Sequence, residues 1–390
     1  MCMLCGQVSG QGFAIAEPND RLAVYGLSIV PAELLDNGSV EATRGVTATD
    51  GVLDYYLHTP GGAVNVSGGG FGGQEIQSLA IPGSDQDYFN AMVRRLDSII
   101  DLDFRQVNNS SSADVDLYYD TEIDLGSSGG TLGLATTSGF GGWELFINFP
   151  ALENDVSYRH YALIHEFGHS LGLEHPFEAR DGDVFNGNPD PWSSAYPEDT
   201  VMAYRSPSQG SWPDFFSTND INALISAWGP EKKYLTAQND FLFGEVYSDF
   251  VIGASGNDSL SGFFQGDTLL GGMGEDRVLG GPGRDFLYGG AGNDIIHGGR
   301  GHDYIKAGSG DDLVRGGKGS DVFAWSTGND TIEDFSFIDG DKIDPSLFDT
   351  YTYHQENDDL IFRSGPNTLT LANIANGDLP ITTIDNIILI

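Results

Sequence analysis

Five residues between positions 165 and 175 fall on H-E-x-x-H-x-x-G-x-x-H: His165, Glu166, His169, Gly172 and His175, within HEFGHSLGLEHP. On a helix, residues four apart share a face, so His165 and His169 can offer two imidazoles to one ion. Glu166 stands beside them without having to be a ligand and is free to handle a proton. Gly172 can take a positive φ, letting the chain leave the helix and return His175 as a third ligand. Three neutral nitrogens and an open fourth position describe a catalytic zinc site rather than a closed structural one. The competing reading is a helix whose histidines decorate a surface. Leu163, Phe167 and Leu171 argue against it, because they recur at i, i+4, i+8 on the side opposite His165 and His169.

A second set of residues suits a different cation. From Gly253 a nine-residue unit recurs eight times in unbroken register to Ala324, most clearly as GGMGEDRVL, GGPGRDFLY, GGAGNDIIH and GGRGHDYIK. The sixth position is always Asp: Asp258, Asp267, Asp276, Asp285, Asp294, Asp303, Asp312 and Asp321. The eighth is always apolar: Leu260, Leu269, Val278, Leu287, Ile296, Ile305, Val314 and Phe323. This is the calcium-binding nonapeptide of parallel β-rolls. Its glycines permit tight turns, the Asp supplies a hard anionic oxygen, and the apolar residue fills the interior. If each nonapeptide makes half a coil, aspartates 18 apart stack in two rows. A low-complexity linker would not keep this period over 72 residues. The second copy, GFFQGDTLL, has Phe263, Phe264 and Gln265 where glycines belong, so its calcium site is the one in doubt.

The elements that must position these residues follow from the rest of the chain. Its 390 residues suggest two or three domains. Fifty-seven acids against 18 bases give a net charge of −39, which disfavours nucleic acid or an anionic membrane and favours hard cations. With 39% hydrophobic and 11% aromatic residues the chain is not wholly disordered, and no apolar run is long enough to span a membrane. Residues 1–45 read as a leader or propeptide-like arm without a conventional signal peptide. Its Cys2 and Cys5 form one C-x-x-C with no second pair, which suits incidental residues better than a thiol that holds a precursor inactive.

From Val52 to Ile81, short apolar stretches between Gly clusters predict strands and turns. A helix begins near Ser84, with Ser84 and Asp87 as a capping box and Phe89, Met92, Val93, Leu96 and Ile100 in helical spacing. Val115 to Tyr119 and Trp143 to Phe149 read as strands, the second placed to pair with extended substrate as an edge. The histidine helix spans Val156 to Leu171, and Ile221, Leu224, Ile225 and Trp228 mark another, closed by Gly229 and Pro230. These elements make an α+β domain over 46–230. A linker and lead-in strand cover 231–252, and the β-roll covers 253–324. A small all-β cap covers 325–390, with a hairpin from Leu360 to Leu371.

Met202, in TVMAY, lies 27 residues after His175 and resembles a metzincin Met-turn. With the nonapeptide roll behind it, the chain resembles the serralysin-type zinc metalloproteases over roughly residues 50–390. That resemblance implies zinc on His165, His169 and His175, Glu166 as general base, and Met202 packed beneath the ligands. It also implies that Tyr204 ligates zinc and swings toward the transition state. Asp385, Asn386 and the run Ile387 to Ile390 are similar to an uncleaved export signal read by type I secretion machinery. The expected protein is a secreted, monomeric zinc endopeptidase acting on proteins or peptides and folded by several Ca2+ ions. The alternative is a calcium-dependent extracellular binding or matrix protein whose protease domain is vestigial.

Overall fold

A computed structural model describes residues 29, 31–67, 72–121, 133–137, 142–176, 195–203, 206–208, 210–348 and 350–374. Cys2, Cys5, Tyr204, the C-terminal run from Asp385, most of the 1–45 arm and most of the loop over 176–199 lie outside the described residues. The chain divides into two compact units, Met1–Gly229 and Pro230–Ile390.

The first unit contains α1 (Asn37–Thr47), β1 (Val52–Leu57), β2 (Gly62–Val66), β3 (Gln74–Leu79), α2 (Gly83–Asp97) and β4 (Asp103–Gln106). It continues with β5 (Val115–Asp120), β6 (Gly133–Thr137), β7 (Trp143–Asn148), the short α3 (Phe149–Leu152), α4 (Val156–Ser170) and α5 (Thr218–Trp228). Strands β4, β1, β5 and β7 are parallel in that order, with β3 and β2 antiparallel beyond β5 and β6 antiparallel to β7. Helix α4, which carries the histidines, packs against α1, α2, α3, β6 and β7. Phe167 at its centre meets Phe89 of α2 and Phe104 of β4 at ring distances of 5.1 and 6.0 Å.

Several local expectations change. Helix α2 starts at Gly83 behind Pro82 with no side-chain cap, so Ser84 and Asp87 form no capping box. Asp85 is instead fully buried, where it takes Arg159, Tyr119 and His160 as partners. Helix α4 is buried on every side from Tyr161 to Ser170, so its histidine face is enclosed rather than open. Strand β7 lies between β5 and β6 and is not an edge; among the described strands β6 pairs only with β7. The described part of the expected leader is also no loose arm. Helix α1 buries Val40, Thr43 and Thr47 in this unit, a face two-thirds threonine that hydropathy alone does not flag.

The second unit is a parallel β-solenoid of about six turns. One sheet stacks β8 (Lys232–Tyr234), β10 (Phe250–Ile252), β12 (Thr268–Met273), β14 (Phe286–Ala291), β16 (Tyr304–Ser309), β18 (Val322–Ala324) and β20 (Lys342–Asp344). The other stacks β9 (Phe241–Phe243), β11 (Ser259–Ser261), β13 (Arg277–Pro282), β15 (Ile295–Arg300), β17 (Leu313–Lys318) and β19 (Asn329–Ile332). It is extended by β23 (Asn367–Leu371), β22 (Asp359–Ser364) and β21 (Thr352–Glu356). Eighth-position residues form two interior rows, Val251–Leu269–Leu287–Ile305–Phe323–Ile343 and Leu242–Leu260–Val278–Ile296–Val314–Ile332–Leu371. The stack therefore begins before Gly253 and passes Ala324 directly into the terminal hairpin strands. No described helix is long and apolar enough to cross a membrane.

Candidate functional site

His165 and His169 lie one helical turn apart on α4. Gly172, at φ 103°, ends that helix, and a Cβ there would strike the Val40 side chain of α1. The freed C-terminal carbonyls of the helix are satisfied from outside. Thr43 Oγ1 donates to the Ser170 carbonyl, Trp228 Nε1 to Leu171 at 2.9 Å, and the Asp36 amide to Gly172 at 2.9 Å. Helices α1 and α5 thus hold the turn that carries His175 back to the other two rings.

One ring nitrogen from each of His165, His169 and His175 lies within 4.8 Å of the others, and all three residues are buried. His165 Nε2 and His175 Nε2 are 3.2 Å apart. His165 Nδ1 is 2.7 Å from the Val201 carbonyl and His169 Nδ1 is 2.7 Å from the Leu173 carbonyl, so each Nδ1 carries the proton and each Nε2 keeps its lone pair. His169 Nε2 is buried without a partner. Burial, helped by His175, pushes His165 down to about 3 and likewise lowers His169, which keeps both neutral as metal ligation requires. Three converging ring nitrogens, two of them Nε2 atoms that keep their lone pairs, fit a borderline-soft dication such as zinc.

Glu166 lies fully buried beside the rings, and neither carboxylate oxygen completes a hydrogen bond. Burial pushes its pKa well up, with the Ala135 backbone of β6 pulling the other way. Met202 is fully buried, and its Sδ lies near Gly168, next to His169 in sequence. Its turn is fastened by a residue that sequence reasoning missed. Asp220 of α5 accepts from Thr200 Oγ1 and from the Val201 and Ser217 amides, while Tyr161 on α4 donates to the Ala203 carbonyl at 2.7 Å. The spacing Ser217-x-x-Asp220 ahead of an apolar run was its available signal.

In the second unit the eight predicted aspartates share one geometry. Each Oδ1 accepts the amide of the residue 18 positions earlier, at 2.7–2.9 Å. Each Oδ2 is buried with no hydrogen-bond partner. First-position glycines leave room beside it: a Cβ on Gly271 would stand 2.5 Å from Asp276 Oδ2 and 2.6 Å from the Gly289 carbonyl of the next coil. Oδ2 and a carbonyl from the following coil therefore converge on a small space. Burial pushes Asp267 up to about 8, Asp294 and Asp303 to about 7, and Asp285 to about 6. Orphaned anionic oxygens with converging carbonyls fit calcium, which would hold these carboxylates ionised. Asp267, in the copy without the usual glycines, keeps the same arrangement because Phe263 and Gln265 adopt left-handed φ values of 87° and 66°.

The aspartate rows are longer than the glycine pattern indicates. Asp240 and Asp249 precede them, and Asp330 and Asp341 follow, each bonded to a neighbouring coil's aspartate. In these four the second oxygen meets a protein donor: Thr236, the Glu245 amide, Ser326 and the Ser336 amide respectively. Their glycines have largely lapsed, but Asp-x-apolar at period nine persists for Asp240, Asp249 and Asp330.

The RTX calcium-binding nonapeptide repeat (four copies) matches residues 234–269, 270–305 and 297–332, so the roll carries calcium-binding repeats. No curated protein matches the chain. Among solved structures it is similar to the extracellular lipase LipA of Serratia marcescens at 16% identity, over 41% of this chain and 40% of the lipase, with a TM-score of 0.23. The chain thus spans under half the length of that lipase. It is also similar to the AlgE6R3 subunit of the Azotobacter vinelandii mannuronan C5-epimerase, at 20% identity over 40% and 80% of the two chains, with a TM-score of 0.19. A third similarity is to the GM1-bound ECX AB5 holotoxin, at 14% identity over 52% and 87%, with a TM-score of 0.27.

Proposed function

We propose that this chain is a secreted zinc endopeptidase, related to the serralysin-type metzincins, whose C-terminal roll folds on calcium. The observation that carries the reading is the convergence of three buried imidazoles, His165 and His169 held neutral, at the helix that also carries the buried Glu166, whose oxygens lack a hydrogen-bond partner. His165, His169 and His175 would hold a zinc ion, which would supply Lewis-acid polarisation of the scissile carbonyl and of water. Burial makes the ionised Glu166 carboxylate a stronger base, which takes a proton from the attacking water and then delivers it to the leaving amine. The side of β6 that pairs with no described strand receives extended substrate as an added strand beside Glu166. Tyr204 belongs to the same proposal as hydrogen-bond donor to the developing oxyanion. An acidic, metal-hungry roll would stay unfolded where calcium is scarce and close outside the cell, which suits export.

A casein zymogram with and without a zinc chelator tests the reading. Chelator-sensitive clearing is expected, and loss of activity in Glu166→Gln with one zinc retained. No clearing by the zinc-loaded, calcium-folded protein would favour the binding-protein alternative.

A further inference from the structure

The two aspartate rows end differently at their N-terminal side. Asp240, partly exposed, starts the first row with neutral donors from Thr236. Asp249 starts the second and is 4% exposed, as buried as the calcium-type aspartates after it. Its amide donates to Asp267 Oδ1 at 2.8 Å, as theirs do to the next coil. Its Oδ2 takes the Glu245 amide at 2.7 Å, and its Oδ1 takes Lys233 Nζ. Lys233 sits on β8 in register with Val251, at the head of the interior row that continues through Leu269 and Leu287. A lysine in a row of aliphatic residues is out of pattern unless its head has a partner. Here the ammonium reaches the Asp249 carboxylate, and the side chain is 25% exposed.

We propose that Lys233 is the ladder's built-in cation: it neutralises Asp249, closes the second row, and holds the first coil without calcium. A buried carboxylate needs a counter-charge. From Asp258 to Asp321 an unbonded oxygen leaves that task to an ion. At Asp249 both oxygens are occupied and the chain brings its own charge. Calcium binding in this row therefore starts at Asp267, against a coil already formed. The inference rests on the roll alone and not on the peptidase reading.

The test is a calcium titration of the chelator-treated full chain, followed by far-UV circular dichroism, for wild type, Lys233→Met and Lys233→Met/Asp249→Asn. Methionine keeps the stem's bulk and removes the charge. The loss, shared by cooperatively bound ions, should raise the calcium midpoint of Lys233→Met about twofold. The double variant removes the charge left behind and should return to the wild-type midpoint. An unchanged midpoint in Lys233→Met overturns the proposal, as does a double variant as impaired as the single. If Lys233→Met fails to fold, the double variant decides: folding at the wild-type midpoint supports the proposal, and failure at any calcium concentration overturns it.

Discussion

His169 and Glu166 put opposite demands on burial. The imidazole must stay neutral to ligate, and burial ensures it. In the proposed peptidase the carboxylate must take a proton and give it up, and burial raises its pKa. Glu166→Gln keeps the shape and removes the proton carrier, so kcat should fall by about 10²–10⁴ with zinc content unchanged by metal analysis. The motif residues were legible because their spacing lies within eleven positions. Their supports were not, since Asp85 meets Arg159 across 74 residues and Asp220 meets Thr200 across 20. Burial pushes Asp85 up, but bonds with His160, Arg159 and Tyr119 outweigh it and hold the carboxyl below its usual range. Stability from this pair is thus present above the ordinary carboxylate pKa and lost as pH falls through the lowered one. Asp85→Asn leaves Arg159 buried and uncompensated, and urea unfolding of the first unit should show a loss of about 3–5 kcal/mol. A loss below 1 kcal/mol would mean that solvent already reaches the pair.

Among the elements, α4 was visible from its periodicity, and its observed span, Val156–Ser170, differs from the expected one by a residue. The edge strand was not, because which strand lies outermost depends on pairing between distant segments rather than on either segment's pattern. Helix α1 escaped for a related reason: its value lies in capping α4, through Thr43 and Asp36, and not in an apolar stripe. In the roll, the repeat fixed the strands but hid a local cost. Phe263 and Gln265 hold left-handed backbone where the other copies place glycine, except for Ala254 at the position of Phe263. Gln265→Gly should therefore stabilise the calcium-loaded protein by about 1 kcal/mol, raising Tm by about 2–4 °C. A lower Tm in calorimetry would show that the glutamine side chain outweighs its backbone strain.

At the scale of the molecule, one unit is built around an enclosed helix and the other around two rows of carboxylates. The repeats announced the second unit at once, because every coil meets only its neighbours and so repeats its instructions in sequence. Stripping calcium should abolish the roll's β signal in circular dichroism at neutral pH, and acid should partly restore it. In the folded, metal-free roll Asp267, Asp294 and Asp303 keep their protons up to about pH 7–8, whereas in the unfolded chain they lose them near 4. Folding takes up protons in that interval, so metal-free stability rises as pH falls from 8 toward 5 and is lost as pH climbs back. Chelated samples with no gain in Tm at pH 5 over pH 8 would contradict this. The 18-residue bond from each aspartate to the next coil also limits how such a chain can change length through descent. Deleting one nonapeptide would move every later strand to the opposite sheet and exchange the two outer faces. Deleting two would keep every later residue on its own sheet and face, one coil nearer the start of the stack. Related rolls should therefore grow and shrink in paired units, with exceptions confined to the last coil, where the step from Asp321 to Asp341 already absorbs two extra residues.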